Sequence, residues 1–118
     1  MTTLFETLKG KTLKSVLVDT TEDIMLFETD TGEKYKMFHD QDCCETVYVE
    51  SVVGDMEDII GSEILVAEEV ENDAEIDEYE DSVTWTFYKL DTVKGGVTIR
   101  WHGSSNGYYS ESVDFIKQ

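Results

Sequence analysis

Eight short stretches of this chain read as strands, several of them alternating apolar and polar residues, and that period of two constrains the fold more than any other feature. The stretches are TLKSVLVD (12–19), EDIMLFETD (22–30), EKYKMFH (33–39), TVYVESVV (46–53), SEILVAEEVE (62–71), SVTWTFYKL (82–90), VTIRWHG (97–103) and YYSESVDFI (108–116). In an extended chain, residues i and i+2 share a face, so each stretch offers one apolar face to a core. Tyr35 and Met37 fall on one face, with Lys34, Lys36 and Phe38 on the other, and Val47 and Val49 also share a face. The turns between them come from Gly, Asn and Asp, because the chain has no proline. "TDTG" (29–32), "KGG" (94–96) and "SSNG" (104–107) mark such turns.

Two segments break the alternation. TLFETLK (3–9) places Leu4, Phe5 and Leu8 at helical spacing before Gly10. GDMEDIIG (54–61) has acids in its first turn, where a helix dipole favours them, and a Gly at each end. The expected fold is therefore a β-rich α+β domain. It has about eight short antiparallel strands in a rolled sheet or small barrel, with one or two short helices. Closure is expected because it removes exposed strand edges. The first three strands read as one meander and the last three as another, with aromatic cross-strand pairs. Residues 1–118 form a single domain with no internal repeat.

The charge is segregated as well as large. There are 27 acids against 9 bases, a formal net charge of −18. From Met37 to Tyr88 there is no Lys or Arg, while seventeen residues are acidic. Hydrophobic residues at 40% still suffice for a core. Such a field repels nucleic acid, anionic membranes and most phosphorylated molecules, and it steers basic protein surfaces inward. No apolar run is long enough to span a membrane and the N-terminus has no signal-peptide core. A cytoplasmic location with reduced thiols is the expectation.

The expected partner-binding surface comprises Glu63, Glu68, Glu69, Glu71, Asp73, Glu75, Asp77, Glu78, Glu80 and Asp81, with 71–81 as an acidic loop. Carboxylates at this spacing can imitate a phosphate backbone. The competing reading is a solvated face that keeps strand edges from pairing.

HDQDCCE (39–45) gathers a histidine, two aspartates, a glutamate and both cysteines. Zinc would need more ligands than adjacent cysteines provide, and no second knuckle exists. A thiolate nucleophile is disfavoured in a negative field. A disulfide is disfavoured too, because adjacent Cα atoms sit about 3.8 Å apart, closer than such bonds normally allow. What remains is a shaped loop, or the rim of a ligand pocket. That pocket would use His39, Asp40, Asp42, Cys43, Cys44 and Glu45 together with Arg100, Trp101, Tyr108 and Tyr109, whose aromatics and single Arg could hold a ring and an anion. For the aromatic hairpin, the competing reading is ordinary core packing. No catalytic residue, metal or cofactor is expected.

Three motifs carry a family resemblance: His39–Glu45 as His-Asp-x-Asp-Cys-Cys-Glu, Gly54–Gly61 as Gly-Asp-x-x-Asp-x-x-Gly, and Asn106–Ser112 as Asn-Gly-Tyr-Tyr-Ser-Glu-Ser. Together they resemble a small domain family of unknown function found in bacteriophages and prophage-bearing bacteria, over nearly the whole chain beyond about residue 10. The resemblance implies a phage origin, a host-cell cytoplasmic location and a compact domain. It implies no activity, and it suggests that 71–81 is a variable insert. The functional expectation is a non-enzymatic phage accessory protein that binds and inhibits a host defence protein through a nucleic-acid-mimicking surface. The alternative is a sponge for a nucleotide-derived signal, and a third reading is a metal- or thiol-dependent enzyme.

Overall fold

The computed structural model describes residues 3–73, 82–106 and 110–118. Eight strands form in chain order: β1 Leu13–Asp19, β2 Ile24–Thr29, β3 Lys34–Phe38, β4 Thr46–Val53, β5 Val66–Asp73, β6 Ser82–Thr92, β7 Gly95–Ser105 and β8 Asp114–Lys117. They make two four-stranded sheets, ordered β1-β2-β3-β8 and β4-β7-β6-β5. All strand pairs are antiparallel. Among the described residues no helix is long and apolar enough to cross a membrane.

Seven of the eight expected strands lie where alternation places them, because each has one face to bury. The inner faces meet in one core. Met25, Phe27, Tyr35, Met37 and Phe115 come from the first sheet, and Val47, Tyr88, Leu90, Val97, Ile99 and Trp101 from the second. Trp101 is fully buried and its indole N–H donates to Met37 Sδ at 3.2 Å, so one polar atom on each sheet is satisfied by the other. Phe5 sits between the sheets, with ring centroids 4.8 Å from Tyr88 and 5.3 Å from Phe115.

The structure corrects three expectations. No barrel closes: each sheet has two end strands, and burial is achieved by stacking one open sheet on the other. The expected helices are single 3-10 turns, Phe5–Leu8 and Met56–Ile59. The second is confined between Gly54 and Gly61, both at positive φ, and Asp55 caps it by accepting from the Glu57 N–H at 3.0 Å. Four residues are too few for a stable α-helix. Gly54 is required for space as well, since a Cβ there would run into the Gly96 carbonyl oxygen.

The third correction concerns the chain's end. The expected strand 108–116 is reduced to Asp114–Lys117, and it pairs with β3 rather than extending the β6–β7 hairpin. Phe115 accounts for this: it stacks on Tyr35 at 5.3 Å with an interplanar angle of 4°, inside the core beneath the first sheet. The Asn-Gly turn and Tyr108–Tyr109 straddle or fall within 107–109, outside the described residues.

Trp101→Ala is expected to cost about 3–5 kcal/mol, the usual loss for a buried large aromatic. Val93→Ala, at a tip position 82% exposed, is expected to change stability by less than about 0.5 kcal/mol. Urea unfolding of both variants measures the difference.

Candidate functional site

The HDQDCCE loop is organised around one carboxylate. Glu45 is buried, and it receives the Gln41 side-chain amide at 2.9 Å and the backbone N–H groups of Asp42 at 3.1 Å and Cys43 at 2.9 Å. His39 Nε2 lies 3.0 Å from the same carboxylate, and its Nδ1 lies 2.6 Å from the Ser112 carbonyl oxygen. Both ring nitrogens therefore face acceptors, and the ring ties the loop to the segment leading into β8. Gln41 also donates to the Glu45 backbone carbonyl at 2.7 Å. Burial alone would raise the Glu45 carboxyl, but hydrogen bonds from its own backbone N–H, Cys43, His39 and Asp42 outweigh it and hold the group at about 2.

The cysteines depart from expectation. Cys43 and Cys44 are joined by a disulfide, with Cα atoms 3.7 Å apart. The chain is bent there and β4 begins only at Thr46. Joined in this way, neither sulfur is a thiolate nucleophile or ligand. Among the described residues no three His, Cys, Asp or Glu side chains converge on a common metal position.

A cavity of about 450 Å³ opens beside the loop, lined by His39, Asp40, Asp42, Ser110, Ser112 and Asp114 among others. Arg100 and Trp101 do not reach it. They are strand neighbours in β7 and alternate faces: Trp101 enters the core, while Arg100 points outward from the second sheet. Tyr108 and Tyr109 lie outside the described residues. The structure therefore brings together His39, Asp40, Asp42 and Glu45, with Cys43 and Cys44 next to them, and separates Arg100 and Trp101 from them.

Arg100 belongs to a different cluster. Its guanidinium lies 4.1 Å from the Trp85 ring centre and 5.9 Å from that of Phe87, and its Nε is 3.3 Å from Glu50 Oε2. His102, two residues along, sits 4.6 Å from Trp85 and 5.2 Å from Tyr48. Tyr48, Trp85, Phe87, Arg100 and His102 thus form a half-buried outward face across β4, β7 and β6. Trp85 and Phe87 were legible as outward only once Thr84, Thr86 and Tyr88 were seen to face inward, which reverses the usual polarity of the alternation.

Of the expected acidic surface, Glu63, Glu68, Glu69 and Glu71 are exposed, the last three on β5. β5 continues through Asp73, so the acidic run begins within a strand, and Glu75, Asp77, Glu78, Glu80 and Asp81 lie outside the described residues. β5 is an end strand that packs against the first 3-10 turn, and a groove of about 390 Å³ beside them is lined by Glu6, Lys9, Glu68 and Glu69 among others. Burial raises the Glu69 carboxyl; a hydrogen bond from Tyr88 opposes this, and Glu71 and Glu6 add to it. The Tyr88 phenol is itself pushed up, by burial first and by Glu69 next. The cluster is self-repelling in the free protein.

These features define a two-sheet antiparallel β domain with a carboxylate-centred loop and an acidic end strand. Residues 6–115 match the family described as Domain of unknown function (DUF7448), and the chain belongs to that family. No curated protein and no solved structure gives a match.

Two carboxyls make stability acid-sensitive. Glu33, bonded to Lys11 Nζ at 2.8 Å and close to Lys117 Nζ at 3.1 Å, is held at about 2 as Glu45 is. Both lie below the ordinary glutamate value, so their contribution is complete above about 4.5 and is lost as pH falls toward about 2. Glu45→Gln is expected to destabilise the protein at neutral pH and to flatten its stability-versus-pH profile across that window. Denaturation midpoints from pH 7 downward measure both effects, and an unchanged profile would contradict the assignment.

Proposed function

We propose that this domain is a non-enzymatic binding protein that docks carboxylates on a basic surface of a partner protein. The observation that carries the reading is the exposure of Glu68, Glu69 and Glu71 along one end strand, in a protein of net charge −18. Glu69 and Glu71 share one face of β5 and Glu68 points to the other, so the end strand is anionic on both sides. A basic groove that accepts nucleic acid is drawn to such an edge. The partner class is a host protein that handles nucleic acid, a defence enzyme in a phage-infected cell, and the effect of occupying its groove is inhibition. The domain itself does not bind nucleic acid or membrane, because its field repels both.

The test compares capture of host proteins on immobilised wild type and on the Glu68→Gln, Glu69→Gln, Glu71→Gln triple variant. Basic proteins retained by the wild type are expected to be lost from the variant and released by salt, with binding falling linearly in log salt. Equal retention by both proteins would sink the acidic-surface reading.

A second reading draws on the cavity beside His39. Its size and its converging hydroxyl and carboxylate groups suit a small ligand. It holds no Lys or Arg, since Arg100 lies on the outer face of the second sheet. A phosphate-bearing nucleotide signal would meet Asp40, Asp42 and Asp114 there, so the ligand class shifts to neutral or cationic molecules. Thermal-shift screening is expected to show no stabilisation by cyclic nucleotides or ADP-ribose, and a rise in midpoint with either would restore the nucleotide-sponge reading.

A further inference from the structure

The outward face of the second sheet departs from the rule for an antiparallel sheet with one face in the core and one in water. Its central rows, read across the strands, are Tyr48–His102–Trp85 and Arg100–Phe87–Val70. Tyr48, His102, Trp85 and Phe87 are half-buried, while Val70 and Val53 on the same face are 49% and 65% exposed. Water solvates such a row poorly, and aromatic residues and Arg are the types enriched where proteins associate.

Charge limits what can cover it. The face carries Lys89 and Arg100 among Glu50, Glu68 and Asp91, with Lys89 paired to Asp91 at 3.7 Å and Arg100 to Glu50 at 3.3 Å. Counted over the described residues, it is nearly neutral in a molecule of net charge −18. A strongly basic partner gains more on the other side of β5, where Glu69 and Glu71 form no ion pair among the described residues. Another copy of this chain needs a surface where its own charges do not repel and where both signs are interspersed, and this face meets both conditions.

We infer that the outer face of the β4-β7-β6-β5 sheet is a homodimer interface, in which two copies stack face to face about a twofold axis. Closed twofold pairing is the commonest form of self-association, and sheets stack readily when their strands align within about 30°. Four strands about 4.8 Å apart and roughly eight residues long cover about 500 Å² per copy. A pair thus buries about 1,000 Å², at the lower limit for a specific interface, so the dimer is weak and depends on concentration. Trp85 and Phe87 supply its apolar centre, and the Lys and Arg side chains can face carboxylates of the second copy.

Salt separates this surface from the acidic one. Two copies of like net charge repel at long range, so screening strengthens the dimer, whereas salt weakens capture of a basic partner. Analytical ultracentrifugation from about 1 μM to about 1 mM is expected to show a rise from the 13.5 kDa monomer mass toward twice that value. The shift should move to lower protein concentration as salt rises from roughly 0.01 to 1 M. Val70→Glu lies on an exposed position of an end strand, and it is expected to raise the dimer dissociation constant at least about tenfold with an unchanged circular dichroism spectrum. Phe87→Glu should do the same, and Leu17→Glu on the outer face of the first sheet should leave the dimer intact. A monomer at every concentration and salt level overturns the inference. So does a dimer that survives Val70→Glu and Phe87→Glu, or one that Leu17→Glu abolishes.

Discussion

Phe115 enters the core from the last strand and meets the rings of Phe5, Phe27 and Tyr35, with centroids 5.3, 5.9 and 5.3 Å away. Phe5 in turn meets Tyr88 of the opposite sheet. This chain of rings, together with the Trp101 to Met37 contact, is what holds two open sheets together. Neither sheet closes on itself, so each is stable only while its inner face is covered. The position of β8 in the first sheet follows from the same requirement, because Phe115 can be buried there and Lys117 can reach Glu33.

Placement of charge follows from scarcity of bases. Lys11 and Lys117 serve Glu33, Arg100 serves Glu50 and Lys89 serves Asp91. Glu45 is buried with backbone N–H groups, Gln41 and His39 in place of a Lys or Arg, a solution available because the segment around it contains neither. Among the described residues β5 has no ion pair, although Lys89 lies opposite Glu68 and Tyr88 donates to Glu69, and Glu68 and Glu71 face water. The same acids suit two roles that coexist. They keep an open edge from pairing with another copy, and they present an anionic surface.

Local signals read correctly wherever a single strand decided the outcome. Alternation located β1 to β7, and the inward positions of Tyr35, Met37, Val47 and Val49 follow from it. The expected pocket goes against that same period of two in putting Arg100 and Trp101 together, and the structure places them on opposite faces. The outward ring row of Tyr48, Trp85 and Phe87 was harder to read. In SVTWTFYKL both faces carry rings, so hydrophobicity alone does not say which set is inside. Thr84 and Thr86 occupy the inward positions next to Tyr88, a choice made by packing volume against the first sheet rather than by polarity. In the loop, spacing and charge argue against metal and thiol chemistry and leave a shaped loop, but they do not single out Glu45, which organises it. A carboxylate that collects local N–H groups leaves no pattern in composition.

The sequence by itself determined the β-rich class, the positions of β1 to β7 and the segregation of acids from bases, because these depend on alternation, backbone preference and charge count within short stretches. Tertiary structure alone decided that the strands form two stacked open sheets, that β8 joins β3, and that Arg100 lies over Trp85 on an outer face. Those outcomes depend on which surfaces remain to be buried once all the strands compete for one core, and residues distant in the chain settle that competition together.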